Sequence, residues 1–268
     1  MRKLACLLVL LAAPVMASGQ GFDHSHKAWD ALVKKHVVLT SGGNASQVRY
    51  AEFAKDRAAL KSYLDALSGV SAAEFKGWTR AQQMAFLINA YNAFTVELIL
   101  ASYPVKSIKD IGSDVFNNRW KKKFFKLLGQ DSYLDQIEHE ILRKPGSYDE
   151  PRVHFAVNCA SIGCPMLREE AFVPERLEAQ LEQQAVRFLS DRTRNRAGAQ
   201  GRLEVSKIFD WFKEDWSSGY QGIQSRERYF AKYAKLLTDN PEHQKLVADG
   251  KAPLGFLDYD WSLNDARR

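Results

Sequence analysis

The chain predicts an α+β fold: a helix-rich single domain with a small, mostly antiparallel sheet. Three observations lead there. Apolar residues recur at helical spacing in several stretches, whereas extended stretches are short. Helices outnumber strands and do not alternate regularly with them, which argues against a parallel βαβ architecture. The 268 residues, 46% hydrophobic and 12% aromatic, suffice for a sizeable core. That composition excludes a disordered chain, a collagen-like repeat and a disulfide-dense mini-protein.

At the N-terminus, Arg2 and Lys3 precede an apolar run from Leu4 to Ala13. Val15 and Ala17 stand where a processing enzyme takes small residues, the pattern of a secretory signal peptide over residues 1–17. The expectation is a periplasmic or secreted protein whose globular domain spans residues 18–268. The run is too short for the ~20 residues that cross a bilayer. The next richest stretch, Met84 to Leu100, is interrupted by Asn89, Asn92 and Glu97, so no transmembrane segment is expected. Losing the leader removes two positive charges and takes the formal net charge from +6 to +4. That balance is too mild to argue for nucleic acid, and the basic runs Arg119 to Lys123 and Arg192 to Arg196 read as solvated surface.

Residues 22–36 read as a helix with Trp29, Leu32, Val33 and His36 on one face. Ser41 to Asn44 is a loop, Val48 to Phe53 a short extended piece and Leu60 to Leu67 a helix. Thr79-Arg80-Ala81-Gln82 is a capping box. It opens the strongest helix, which runs through Ala101 and stops before Pro104; apolar nearly all round, it belongs at the centre of the fold. Lys123 to Leu128 and Ser132 to Leu134 flank Gly129-Gln130-Asp131 as a β-hairpin. Asp135-Gln136-Ile137-Glu138 reads as a second capping box, starting a helix to about Arg143 that Pro145-Gly146 ends. Val153 to Cys159 alternates as a strand, with Val153, Phe155, Val157 and Cys159 on one face. Pro174 starts an amphipathic helix carrying Leu177, Leu181, Ala185 and Phe188. Beyond the Arg-rich loop Asp191 to Arg202 come a short strand, Leu203 to Val205, and an aromatic helix, Phe209 to Trp216. A final helix, Arg226 to Leu237, and a last strand within Phe256 to Leu263 complete the order.

Three segments place unusual polar groups in apolar surroundings. Asn89 and Asn92 lie three apart and share a face of the central helix. They either tie down loop backbone or line a ligand pocket. Glu138 and His139 lie in one helical turn, pointing about 100° apart, so they reach one site without bonding each other. The third segment runs from His154 through Asn158, Cys159, Ser161 and Gly163 to Cys164 and Pro165. It reads as a strand entering a small-residue loop and then a helix start, with Cys164 at the N-cap. Such loops expose N–H groups that bind an oxyanion, and their small side chains leave room for a ligand. Cys159 and Cys164 are the two cysteines beyond the leader, and in an oxidising compartment a disulfide between them is the competing reading.

The segments Asn89 to Ala93, Leu134 to Arg143 and His154 to Pro165, with Trp120 to Phe125 and Tyr259 to Asn264, resemble the bacterial branch of the family catalogued as domain of unknown function 547. The resemblance spans about Gln82 to Asn264. It implies that these segments work together and supplies no activity.

Two function classes follow. In the first, the protein is a cysteine-dependent hydrolase or acyltransferase of papain- or transglutaminase-like logic, acting on a peptide- or thiol-type substrate. Cys159 is the nucleophile and His139 the base; Glu138 or His154 orients the histidine, with Asn89, Asn92, Ser161 and Cys164 as binding residues. In the second, it is a non-catalytic ligand-binding module with a Cys159–Cys164 disulfide. A metal site built from His139, His154, Glu138 and Cys159 is the weakest reading, because no paired ligand spacing occurs. Neither metal nor cofactor is expected; the expected partner is a small molecule or peptide. Protein recovered from an oxidising compartment should begin at Ser18 on N-terminal sequencing, and an intact Met1 on soluble cytosolic protein would refute export.

Overall fold

A computed structural model describes residues 21–112 and 119–266. The expected leader lies outside the described residues. Among those described, no helix is long and apolar enough to cross a membrane. The architecture is α+β, rich in helix, with three small sheets.

Helix α1 (Lys27–His36) buries the expected Trp29, Leu32, Val33 and His36. It starts later than the sequence pattern because His26 adopts a left-handed φ of 49°. Strands β1 (Val37–Thr40) and β2 (Ala45–Val48) pair antiparallel across the Ser41 to Asn44 turn. The expected extended piece ends at Val48, since Tyr50–Phe53 forms helix α2. Helices α3 (Arg57–Gly69) and α4 (Ala72–Lys76) follow.

Helix α5 (Arg80–Leu100) is the axis of the fold. The Thr79–Gln82 capping box is present, and burial is continuous from Met84 to Val96. Both faces must therefore be covered, and α2, α3 and the segments after the hairpin cover them. The hairpin pairs β3 (Phe125–Leu127) with β4 (Gln130–Ser132). Leu128 and Gly129, at φ 52° and 82°, form its two-residue turn, so Gln130 and Asp131 belong to the strand and not to the turn.

Two sequence readings fail where the site is built. Gln136–Leu142 is a π-helix, and Asp135 makes no side-chain cap. Arg143 N–H reaches back five residues to the Glu138 carbonyl at 2.9 Å. The stretch Val153 to Cys159 is not a strand: Val153–Ala156 forms the single helical turn α6, and the chain leaves it extended. Its alternation means little because Val153, His154, Phe155 and Ala156 are all buried. Pro151 presets the first turn, and the preceding Arg152 is clamped by Glu150 and Glu178. No helix starts at Pro165 either; irregular chain continues to a 3₁₀ turn at Pro174–Arg176 and then α7 (Leu177–Ser190).

The C-terminal third forms a second core around Phe155, Phe188, Phe209, Trp216 and Tyr229. Strands β5 (Arg196–Ala197), β6 (Leu203–Ser206) and β7 (Leu254–Leu257) make its sheet, antiparallel and then parallel. The aromatic helix breaks into α8 (Ile208–Trp211) and a 3₁₀ turn, and the final predicted helix breaks at Tyr233 into α9 (Arg226–Lys232) and α10 (Ala234–Leu237). Asn240 caps a further helix, α11 (Pro241–Ala248). The tail does not extend as one strand to Leu263. Helix α6 sits at the seam, with Val153 and Ala156 in the first core and Phe155 in the second.

Asn89 and Asn92 tie loop backbone to the central helix and do not line the cavity that receives Cys159 and Cys164. The Asn89 amide donates to the Phe172 carbonyl at 2.7 Å and accepts from the Phe172 N–H at 3.0 Å. Asn92 donates to the Ala156 carbonyl at 2.9 Å and accepts from the Asn158 N–H at 2.8 Å. Asn89→Leu leaves two backbone groups unpaired and should cost roughly 2–4 kcal/mol in urea denaturation. It should leave Cys159 alkylation unchanged, whereas Asn92→Leu should alter both. Equal effects of the two variants on alkylation would contradict this division.

Candidate functional site

A cavity of about 200 Å³ lies against the seam. Cys159, Cys164, Val157 and Pro165 come to it from the loop after α6, and Asp135, Glu138 and His139 from the π-helix. Tyr91 of α5, His154 of α6 and Phe212 complete its interior. Trp120, Trp211, Tyr259 and Trp261 add an aromatic wall, in which Tyr259 and Trp261 meet at 4.6 Å and Trp211 and Tyr259 at 5.0 Å between centroids. Trp211 is the exposed member, at 43%. Thus Glu138, His139, His154, Cys159 and Cys164 share one cavity. Asn89, Asn92 and Ser161 do not line it, although Ser161 touches the Cys159 sulfur.

Both cysteines are free thiols. The Cys159 sulfur lies 2.9 Å from that of Cys164, 3.2 Å from the Ser161 hydroxyl and 3.2 Å from the Tyr259 hydroxyl. Contact with Cys164 pulls the Cys159 thiol below its ordinary value; burial opposes this, and the two hydroxyls reinforce it. Burial pushes Cys164 well above the usual thiol range, and its neighbour's charge adds to the effect. Cys159 is therefore the thiol of the pair that ionises first. No protonated histidine is bonded to it; thiol and hydroxyl donors do the work the sequence assigned to His139.

The small-residue loop holds no room for a ligand at its back, because the chain's own tail fills it. Ile162 N–H bonds the Ser262 carbonyl and Gly163 N–H the Asp260 carbonyl, each at 2.8 Å. A Cβ on Gly163 would stand 2.9 Å from the Asp260 nitrogen and 3.0 Å from the Tyr259 ring, so glycine is what allows the tail to seat Tyr259. The loop N–H groups are likewise engaged internally. Cys159 N–H meets the Cys164 sulfur at 3.0 Å, Ala160 N–H the Asn158 side chain at 3.0 Å and Cys164 N–H the Ser161 carbonyl at 3.1 Å. The N–H groups of Cys159, Ala160, Ile162, Gly163 and Cys164 are thus taken and are not offered to an oxyanion.

Opposite the thiols runs a charged chain that the sequence reading missed. Arg143 donates to Nδ1 of His139 at 2.6 Å and binds Asp215 at 2.6 and 3.2 Å. Asp215 also meets Nε2 of His154 at 2.7 Å. Because a guanidinium only donates, His139 Nδ1 accepts and its Nε2 carries the proton. Burial opposes ionisation of Asp215, yet its bonds from His154 and Arg143 hold it down at about 2. His154 is lowered by burial against the pull of Asp215, and it stacks on Phe212 at 4.3 Å. It is a buttress, not an orienter of His139. Arg143, four residues after His139, was readable as a partner on a helix face; Asp215, inside an aromatic run, had no such signal.

Two carboxylates face the cavity. Burial raises Asp135, with Glu138 adding to the effect. Tyr91 is raised well above its usual value, first by burial and then by the charge of Glu138. Among the described residues no group of three or more His, Cys, Asp or Glu is placed to hold a metal ion.

Residues 75–189 match the family described as "Protein of unknown function, DUF547". The DUF547 match takes in α5, the π-helix, α6, both cysteines and α7, but ends before Asp215 and before the Tyr259 to Asn264 tail. No curated protein and no solved structure matches at a significant level.

Alkylation follows the thiolate, so a depressed Cys159 value moves its midpoint below the ~8.5 of a free thiol. Iodoacetamide rates against pH, with adducts mapped to Cys159, should show this. Tyr259→Phe and Ser161→Ala should each raise the midpoint by about one pH unit by removing a donor to the thiolate. A midpoint near the free value in the unsubstituted protein would refute the assignment.

Proposed function

We propose that the protein is an exported, cysteine-dependent hydrolase or acyltransferase with Cys159 as nucleophile and His139 as hydrogen-bond donor to the leaving group. The observation that carries this reading is a thiol of depressed pKa opening on a cavity that also receives His139 and Glu138. The Cys159 thiolate attacks a carbonyl carbon and forms a tetrahedral oxyanion. As the carbon–heteroatom bond breaks, the leaving group, held by a hydrogen bond from His139 Nε2–H, takes its proton from solvent, and a thioester remains. A water or amine acceptor then attacks the thioester, its proton passing to solvent, and the thiolate is released. The Tyr259 hydroxyl, 3.2 Å from the sulfur and on the cavity wall, is the donor for the oxyanion in this scheme.

The aromatic wall and the carboxylates Asp135 and Glu138 suit a substrate with a flat or apolar body and a cationic end. Glu138 lies 3.9 Å from His139, beyond hydrogen-bond reach, so its part in this scheme is electrostatic. The contact between the two sulfurs favours the second reading, a binding module with a Cys159–Cys164 disulfide.

Full-length protein reacted with a 4-nitrophenyl ester should yield an acyl group on Cys159, detected by peptide mass spectrometry. Cys159→Ala should abolish the adduct, and His139→Ala should lower turnover by about 10²–10³ through loss of one donor. An unlabelled Cys159, or turnover unaffected by Cys159→Ala, would leave the binding module as the reading.

A further inference from the structure

The acyl scheme uses one thiol and leaves a second in contact with it. Cys164 is 5% exposed, while Cys159 is partly open. Their sulfurs stand 2.9 Å apart, and a disulfide needs about 2.05 Å, a closure of roughly 1 Å. The loop that separates them is already reversed: Ala160 sits at φ 61°, and the Cys164 N–H bonds the Ser161 carbonyl at 3.1 Å. Its far end is fixed as well. Arg194 binds the Cys164 carbonyl, and Asn158 donates to the Pro165 carbonyl at 2.7 Å. The sulfurs are thus held together by the fold and not by a chance rotamer.

We propose that Cys159 and Cys164 form an attacking and resolving pair for thiol–disulfide exchange with a small or peptidyl disulfide entering the same cavity. The proposal rests on Cys159 as nucleophile but not on acyl chemistry. The Cys159 thiolate attacks one sulfur of R–S–S–R; a protein–substrate S–S bond forms, the substrate bond breaks, and RS⁻ leaves. Cys164 then gives its proton to the departing thiolate and attacks the Cys159 sulfur. The Cys159–Cys164 bond forms, the mixed disulfide breaks, and a second RS⁻ leaves to be protonated from solvent. The protein dithiol is oxidised by two electrons and the substrate disulfide is reduced to two thiols. The order is set by exposure, since the outer sulfur meets the substrate and the buried one reaches only its neighbour. Burial raises Cys164 first, and forming the mixed disulfide removes the Cys159 charge that adds to it.

The test uses the full chain carrying Cys6→Ser, reduced and freed of reductant, with 5,5′-dithiobis(2-nitrobenzoate) as the probe. Two thionitrobenzoate anions should leave per chain, the second at a rate independent of reagent concentration. Mass spectrometry should find a Cys159–Cys164 disulfide without adduct. Cys164→Ser, or Cys164→Ala if the serine variant fails to fold, should release one anion and keep a stable adduct on Cys159. A stable adduct on Cys159 in the parent chain, or a second release that scales with reagent, would overturn the pair. The ester-labelling result is read without any disulfide present, so failure of either activity leaves the other standing.

Discussion

Asn158 is the residue on which the site depends. Its N–H is taken by Asn92 at 2.8 Å, its amide donates to the Pro165 carbonyl at 2.7 Å, and its carbonyl oxygen accepts from Ala160 N–H at 3.0 Å. Asn264 adds a bond to that same oxygen at 3.3 Å and is itself held by Tyr50 at 2.8 Å. A buried amide left unpaired costs about 1–3 kcal/mol per group, so this network tolerates few alternative arrangements. It links the central helix, the cysteine loop and the tail, three pieces distant in sequence. The left-handed Ala160 persists because both its flanks are fixed in this way, at a cost of about 1–3 kcal/mol.

Because the loop is fixed, its chemistry is carried by side chains and not by its backbone. Ile162 and Gly163 N–H are engaged by the tail, Ala160 N–H by Asn158, and Cys159 and Cys164 N–H within the loop itself. What faces the reactive sulfur instead is a thiol and two hydroxyls, one of them delivered by Tyr259 from the other end of the chain. The tail is thereby part of the site. Gly163 is required for the same reason: the tail backbone passes where its side chain would be.

Much of this fold was legible because its strongest signals are local. The Thr79 capping box, the hairpin around Gly129 and the α7 stripe each follow from spacing alone, and each appears in the structure. The residues that share the cavity were legible too, since Glu138, His139, His154, Cys159 and Cys164 are polar or reactive groups in apolar runs. The failures share one physical origin. Val153 to Ala156 is buried on every side, so alternation carried no inside-to-outside meaning, and the clamp on Arg152 decided for a helical turn. Asn89 and Asn92 looked like a pocket because periodicity cannot say whether a buried amide meets a ligand or a backbone; here it meets backbone. Arg143, Asp215, Tyr259 and the tryptophans join the site through contacts remote in sequence, which no local pattern encodes.

The charged chain explains how two cores share one site. Arg143 ends the π-helix of the first core, and Asp215 lies in the 3₁₀ turn beside the second. Between them the guanidinium lies 4.2 Å from the Phe212 ring centroid, shielded on one side from water. Asp215 holds Arg143, and Arg143 in turn sets the tautomer of His139, leaving Nε2–H as the donor. The wider turn of the π-helix is the local distortion that brings Glu138 and His139 into the cavity together while Arg143 turns back to the Glu138 carbonyl. His139 in turn lies 3.8 Å from Asp135 and 3.9 Å from Glu138, so the chain that starts at Asp215 and passes through Arg143 ends on the carboxylates that share the cavity with the thiols.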